Sequence, residues 1–158
     1  MDVDMKHAQA EFEKFCKALD ADGWRYNKNE EKLTIETGAT GDDLPINIYI
    51  QVDANRELLY LLSKLPINVP EDKRIDMVVA VCMVNDLMVH GCFDYNIQEG
   101  TLFFRMANSY KDSSLGDDLY KYMLYCSCQT IDEYNDKLLM LSSGIIDLEA
   151  FIKLMDEE

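Results

Sequence analysis

Apolar and other residues alternate most regularly around residue 50, which predicts a β-strand with one buried face. The apolar members of this alternation are Ile46, Ile48, Ile50 and Val52, and polar or aromatic residues separate them. Successive side chains on a strand point to opposite faces of its sheet. One face of this strand is therefore expected to pack into a core while the other stays accessible.

The first twenty residues show a helical period instead. Apolar side chains recur there at the spacing of one face of a helix, at Ala8, Phe12, Phe15, Cys16 and Leu19. This pattern predicts an amphipathic helix over residues 4–21, which ends at Asp22 and Gly23.

Shorter alternating segments, separated by turn residues, predict further strands. The predicted strands cover residues 24–26, 33–35, 57–65, 92–97 and 101–106. The predicted turns lie at residues 27–29 and at residues 98–100. Residues 57–65 fit either a strand or a helix, and Pro66 together with the preceding strands favours a strand that ends at residue 65. Runs of strands with such short connections indicate antiparallel pairing.

Residues 70–91 have the end signals of a helix but almost no polar face. Pro70 suits the first helical position, and Gly91 suits a stop. Between these signals, residues 75–89 include twelve apolar residues in fifteen. A helix this apolar has to be covered on more than one side.

Two apolar stripes run along this predicted helix, on roughly opposite sides. One stripe consists of Ile75, Val78, Val79, Cys82 and Val89. The other, which contains methionine and is therefore adaptable, consists of Met77, Val81, Val84 and Met88. We expect the first stripe to rest on the sheet. The second stripe is then covered either by the C-terminal helices or by another molecule, and we favour a homodimer interface there.

The rest of the chain is predicted to be helical. Ser113 or Ser114 is expected to cap a long helix, Gly144 to end it, and Asp147 to cap a last short helix over residues 148–155. The predicted order is α-β-β-β-β-α-β-β-α-α, an α+β class in which helices pack on an antiparallel sheet. We expect a single domain over residues 1–158, with a C-terminal helical segment from about residue 115.

The charge of the chain restricts its partners. Asp and Glu outnumber Lys and Arg by 30 to 15, which gives a net charge of −15. Charge of this sign repels phosphate backbones and anionic lipid headgroups, so we expect neither nucleic acid nor a membrane as partner. A basic peptide, a cationic protein segment or simple solubility all fit this charge, and solubility is the simplest of the three.

Cysteine usage and the N-terminal residues predict a cytoplasmic protein. The chain has five cysteines, an odd number, and its acidic N-terminal residues lack the apolar core of a signal peptide. These features favour free thiols in a reducing compartment. The most apolar segment is also shorter than the roughly 20 residues that span a bilayer.

No motif predicts a metal, a cofactor or a catalytic centre. On a helix, Cys126 and Cys128 point roughly 200° apart and therefore make a poor chelating pair. A calcium loop aligned on Gly23 places Ala18 and Asn29 where acidic ligands are required. His90, Cys92 and Asp94 are close together in the sequence and suggest a Cys–His catalytic centre. Such triads are assembled from distant positions of a chain, so this local cluster is poor evidence for one.

Three segments resemble the YbjN-like family of bacterial sensory transduction regulators. They are GCFDY at residues 91–95, GTLFFR at 100–105 and LSSGIIDLEAF at 141–151, and together with the element order the resemblance covers about residues 11–154. The fold of that family is similar to that of the type III secretion chaperones. The resemblance implies a non-catalytic domain that acts by binding and, on the chaperone side, an acidic homodimer that presents an extended surface to a client segment.

Two functional hypotheses follow. The first is a non-enzymatic interaction module, a regulator or chaperone-like binder of a protein or peptide client, which uses an apolar helix face and an open sheet edge. The alternative is an enzyme or small-molecule binder with a pocket between sheet and helices. Asp94, Tyr95 and Arg105 are the first polar residues that such a pocket would use.

Overall fold

The computed structural model describes residues 4–156, so the first three and last two residues of the predicted domain lie outside the described residues. In chain order the elements are α1 (Met5–Ala21), β1 (Asn27–Asn29), β2 (Thr34–Thr40), β3 (Pro45–Asp53), β4 (Leu58–Asn68), a 3₁₀ turn (Glu71–Lys73), α2 (Arg74–Leu87), β5 (Cys92–Asn96), β6 (Thr101–Ser109), α3 (Asp117–Ser142) and α4 (Leu148–Asp156). The predicted α+β class and element order are confirmed.

The six strands form one antiparallel sheet in the order β1-β2-β3-β4-β6-β5. α1 packs on β3, α3 packs on β3, β4 and β6, and α2 packs on β5, while α4 packs on α2 and α3. The alternation predicted around residue 50 is confirmed in β3, where Ile46, Ile48, Ile50 and Val52 are all buried. The helices therefore cover one face of the sheet, and the core lies between them and that face.

The predicted turn at residues 27–29 is wrong, because these residues form β1. The turn comes directly afterwards, where the Asn29 side chain accepts a hydrogen bond from the backbone N–H of Lys32 at 3.0 Å. Asparagine often starts a turn in this way, with its side chain taking the place of a backbone acceptor. Leu33 then adopts a φ of +52° and leads the chain into β2.

Two other predicted boundaries are wrong. β4 does not stop at Pro66 but continues to Asn68. Its pairing with β3 ends at Leu62, so Pro66 lies where β4 has lost that neighbour and a missing N–H costs little. α3 has Gly116 rather than a serine at its N-cap, and the Ser114 hydroxyl instead accepts a hydrogen bond from Lys14.

α2 is shorter than the sequence predicts. A 3₁₀ turn follows Pro70, α2 begins at Arg74, and it ends at Leu87 rather than near Gly91. Glycine at position 91 is required for a reason other than ending the helix. Its φ is +88°, and a Cβ there would lie 2.5 Å from the Phe104 ring. Glycine is therefore needed where the chain passes close to β6 on its way into β5.

Candidate interaction surfaces

Within residues 4–156, no helix covers the second face of the sheet, which we call the outer face. Strand register places side chains from separate parts of the sequence side by side there, because directly paired residues share a face. One row across the sheet joins Glu36, Tyr49, Leu62, Arg105 and Cys92. A neighbouring row joins Lys64, Phe103 and Asp94.

The centre of the outer face is apolar and concave. A groove of about 390 Å³ is lined by residues of β2, β3, β4 and β6, among them Tyr49, Leu62 and Phe103. A second hollow of about 380 Å³ continues from it along β2, where Glu36, Thr37 and Asn47 line both. The outer face thus offers a continuous channel from the middle of the sheet to its β2 edge.

Several polar groups on this face contact neighbours on the same face. Tyr60 and Tyr49 both donate hydrogen bonds to the Gln51 side-chain oxygen, the second at 3.5 Å. The Lys64 Nζ lies 5.9 Å from the centre of the Phe103 ring, within range of a cation–π interaction. Tyr49 and Phe103, two of the rings that line the groove, therefore each have a polar neighbour on the same face.

The β5 side of the outer face contains the ion pair of Asp94 and Arg105. The Arg105 Nε donates to one Asp94 carboxylate oxygen at 2.6 Å and its Nη2 donates to the other at 3.1 Å. This bidentate bond raises the pKa of Arg105. Burial, followed by the nearby Asp94 carboxylate, raises the pKa of the Cys92 thiol, so Cys92 is protonated and a poor nucleophile.

The alternative pocket predicted at Asp94, Tyr95 and Arg105 is not formed by these residues. Asp94 and Arg105 lie on the outer face, whereas Tyr95 alternates to the face covered by helices. Its hydroxyl is buried there and has no partner among the described residues. The three side chains therefore do not converge, because neighbours on a strand point to opposite faces.

The stripe predicted as a dimer interface on α2 is buried inside the chain. Met77 and Val84 have no exposed surface, Val81 is almost as buried, and Met88 packs partly against the same core. β5, α3 and α4 supply this cover. The choice of this stripe as the subunit interface is therefore wrong, since a second molecule has no access to it.

The opposite stripe of α2 is the accessible one. Ile75 is 68% exposed and Val78 is 43% exposed, and Val79 and Cys82 beside them are exposed as well. The expectation that this stripe rests on the sheet is wrong. An exposed apolar stripe of this kind on a helix is typical of a protein-binding surface.

Two further properties of the described residues bear on the candidate chemistry. No group of three His, Cys, Asp or Glu side chains in residues 4–156 is arranged to hold a metal ion. Within the same residues, no helix has the length and apolar content needed to cross a bilayer.

Comparison with solved structures identifies proteins of similar fold, although no family model and no curated protein matches the sequence. YbjN from E. coli superposes with a TM-score of 0.58 at 11% identity, over 80% of this chain and 93% of YbjN. The HopA1–SchA chaperone–effector complex contains a similar chain, with a TM-score of 0.59 at 12% identity, over 85% of this chain and 99% of that one. The ExsC–ExsE complex contains another, with a TM-score of 0.55 at 11% identity, over 88% and 98% of the two chains.

The first of these two structures is a chaperone–effector complex. At 11% to 12% identity, the likeness concerns the fold. The resemblance found in the sequence is thereby confirmed at the level of architecture: this chain has a YbjN-like, type III secretion chaperone-like fold.

Proposed function

We propose that this protein is a non-catalytic binding module, a regulator or chaperone-like protein that holds a segment of a client protein on the outer face of its sheet. The observation that carries the proposal is the apolar channel around Tyr49, Leu62 and Phe103, on a face that none of the described helices covers. Two of the structural neighbours are chains from complexes with a second protein.

The β2 edge supports an extended conformation for the client. β1 pairs only with Thr34–Glu36, so the rest of the described β2 has a strand partner on the β3 side alone. Backbone groups at such an edge accept an added strand, and side chains of that strand reach neighbouring pockets. The channel begins beside this edge, so a client strand there places side chains in it.

The proposal is tested by capturing proteins from a lysate of the source organism on the immobilised wild type and on Phe103→Glu. A charge within the apolar channel is expected to reduce retention of the client about tenfold, which corresponds to about 1.4 kcal/mol. Ile145→Glu is the matched control, because Ile145 is exposed in the loop between α3 and α4, two helices on the side of the sheet opposite the outer face. Equal retention by both variants, with both folded by thermal unfolding, contradicts the proposal.

We also propose a homodimer through the exposed α2 stripe rather than through the stripe predicted from the sequence. In a monomer the apolar side chains of this stripe stay in contact with water. A symmetric dimer, in which the same patch of each copy packs against the other, is the commonest way to cover them. Sedimentation of the wild type is expected to show a dimer, and Val78→Glu a folded monomer. A wild type that stays monomeric at all accessible concentrations contradicts the dimer.

The charge and the cysteines support two further parts of the proposal. These are that neither nucleic acid nor a membrane is the partner, and that the protein is cytoplasmic. A net charge of −15 disfavours nucleic acid and anionic membranes as partners. The five cysteines all have free thiols, as expected for a protein of the reducing cytoplasm.

A further inference from the structure

A pocket lies on the helical side of the molecule, where the end of α2 meets the middle of α3. It has a volume of about 370 Å³, and its walls include Leu87, Val89, His90, Tyr122, Glu133 and Tyr134. Val89 follows the end of α2 and belongs to the exposed stripe as the sequence defined it, whereas the other residues named here belong neither to that stripe nor to the outer face of the sheet. The pocket is therefore a separate candidate site.

One part of the pocket rim is apolar and open to solvent. Val89 is fully exposed, Leu87 is about half exposed, and Tyr122 on α3 is 47% exposed. The His90 ring stacks on the Tyr122 ring, with centroids 5.4 Å apart and planes 19° apart, and His90 Nδ1 lies 3.3 Å from the Tyr122 hydroxyl. The stacking holds both rings in place, so they form a preorganised wall of the pocket. An apolar or planar group can bind against this wall without the entropic cost of ordering the two side chains.

The rest of the pocket favours positive charge. The C-terminal end of a helix carries partial negative charge, and the last turn of α2 contains no basic residue to offset it. Glu133 adds a carboxylate to the lining, and Asp86 is exposed in the same last turn. The described residues that line the pocket include no lysine or arginine.

A lysine of the chain itself shows that this part of α3 accommodates a cation. The Lys137 Nζ lies 5.5 Å from the centre of the Tyr134 ring and donates a hydrogen bond to the backbone oxygen of Glu133 at 2.6 Å. Glu133 is exposed and lines the pocket. A cation from another molecule would therefore meet both an acidic residue and the partly exposed Tyr122.

We propose that this pocket binds an arginine-bearing apolar segment of a partner protein. A guanidinium is planar and stacks on an aromatic ring while its N–H groups reach several acceptors, here the Glu133 carboxylate and the end of α2. An apolar neighbour of that arginine covers Leu87 and Val89. This site goes beyond the client-binding face proposed above and does not depend on it.

The test uses fluorescence anisotropy with a labelled amphipathic peptide of leucine and arginine, and a counterpart in which glutamate replaces arginine. Only the arginine peptide is expected to bind at physiological salt. Glu133→Lys is expected to weaken it about tenfold more than Glu99→Lys, which makes the same change in net charge at an exposed turn of the sheet. Tyr122→Ala is expected to weaken it as well, while thermal unfolding shows all variants to be folded.

Equal affinities for Glu133→Lys and Glu99→Lys would overturn the proposal, because binding would then reflect the overall charge alone. Binding that Tyr122→Ala leaves unchanged would overturn it too. Phe103→Glu is expected to leave this peptide's affinity unchanged, so a failure here and a failure of the client-binding face give different results.

Discussion

Val84→Glu is expected to unfold the protein or to lower its thermal midpoint by about 10 °C or more. Val84 has no exposed surface, and α2, to which it belongs, packs against β5, α3 and α4. An unpaired carboxylate at such a position costs several kcal/mol, which is a large part of a typical total stability of about 5–15 kcal/mol. The free energy of unfolding, measured with urea, checks this expectation.

The matched control for this variant is Val78→Glu, which places the same charge six residues earlier on the same helix. Val78 is exposed in the monomer, so the change is expected to alter monomer stability by no more than about 0.5 kcal/mol. The two variants separate the two sides of α2. A folded Val84→Glu monomer together with an unfolded Val78→Glu would show that the buried and exposed sides are reversed.

Glu11→Ala is expected to destabilise the protein by about 3 kcal/mol, because it leaves one buried donor and one partly buried donor without an acceptor. The Glu11 carboxylate is fully buried and accepts hydrogen bonds from the Tyr120 hydroxyl at 2.6 Å, the Leu115 backbone N–H at 3.2 Å and Lys14 Nζ at 2.8 Å. These bonds join α1 to the start of α3. Glu13→Ala, an exposed neighbour on α1, is the control and is expected to be close to neutral.

The Glu11 contribution also depends on pH in a predictable direction. Burial by itself raises the pKa of Glu11, but the hydrogen bonds from Lys14, Tyr120 and Leu115 together outweigh it and lower the pKa below the ordinary value of 4.5. The stabilisation is therefore complete above about pH 4.5 and is lost as the pH falls toward the lower pKa of the folded state. The difference in unfolding free energy between wild type and Glu11→Gln should shrink over that range. If this difference stays constant over the same pH range, groups other than Glu11 are responsible for any loss of stability in acid.

The sequence predicted correctly the elements in which apolar residues recur at a regular spacing. The alternation in β3 and the helical spacing in α1 identified both elements, since each buries one face against the core. The boundaries of α2 and the turn after β1 were predicted less well. Helix ends and turns depend on a few hydrogen bonds, such as that of Asn29, which many residue types can make at several positions.

The residues of the outer face could not be assembled from the sequence. Leu62 and Phe103 are about forty positions apart and become neighbours only through the register of β4 with β6. In the sequence, Phe103 stands in an apolar run beside Leu102 and Phe104, which are buried on the other face. Alternation identifies a strand, but only its pairing partners decide which residues share a groove with it.

The sequence by itself determined that α2 has apolar residues on two opposite sides, and the cover expected for both is seen on only one of them. It did not determine which stripe the chain covers. When both sides of a helix are almost equally apolar, burial of either releases similar free energy, so the periodicity gives no preference. Only the positions of β5, α3 and α4 decided that Val84 points inward and Val78 points outward, because those elements pack on one side of the helix alone.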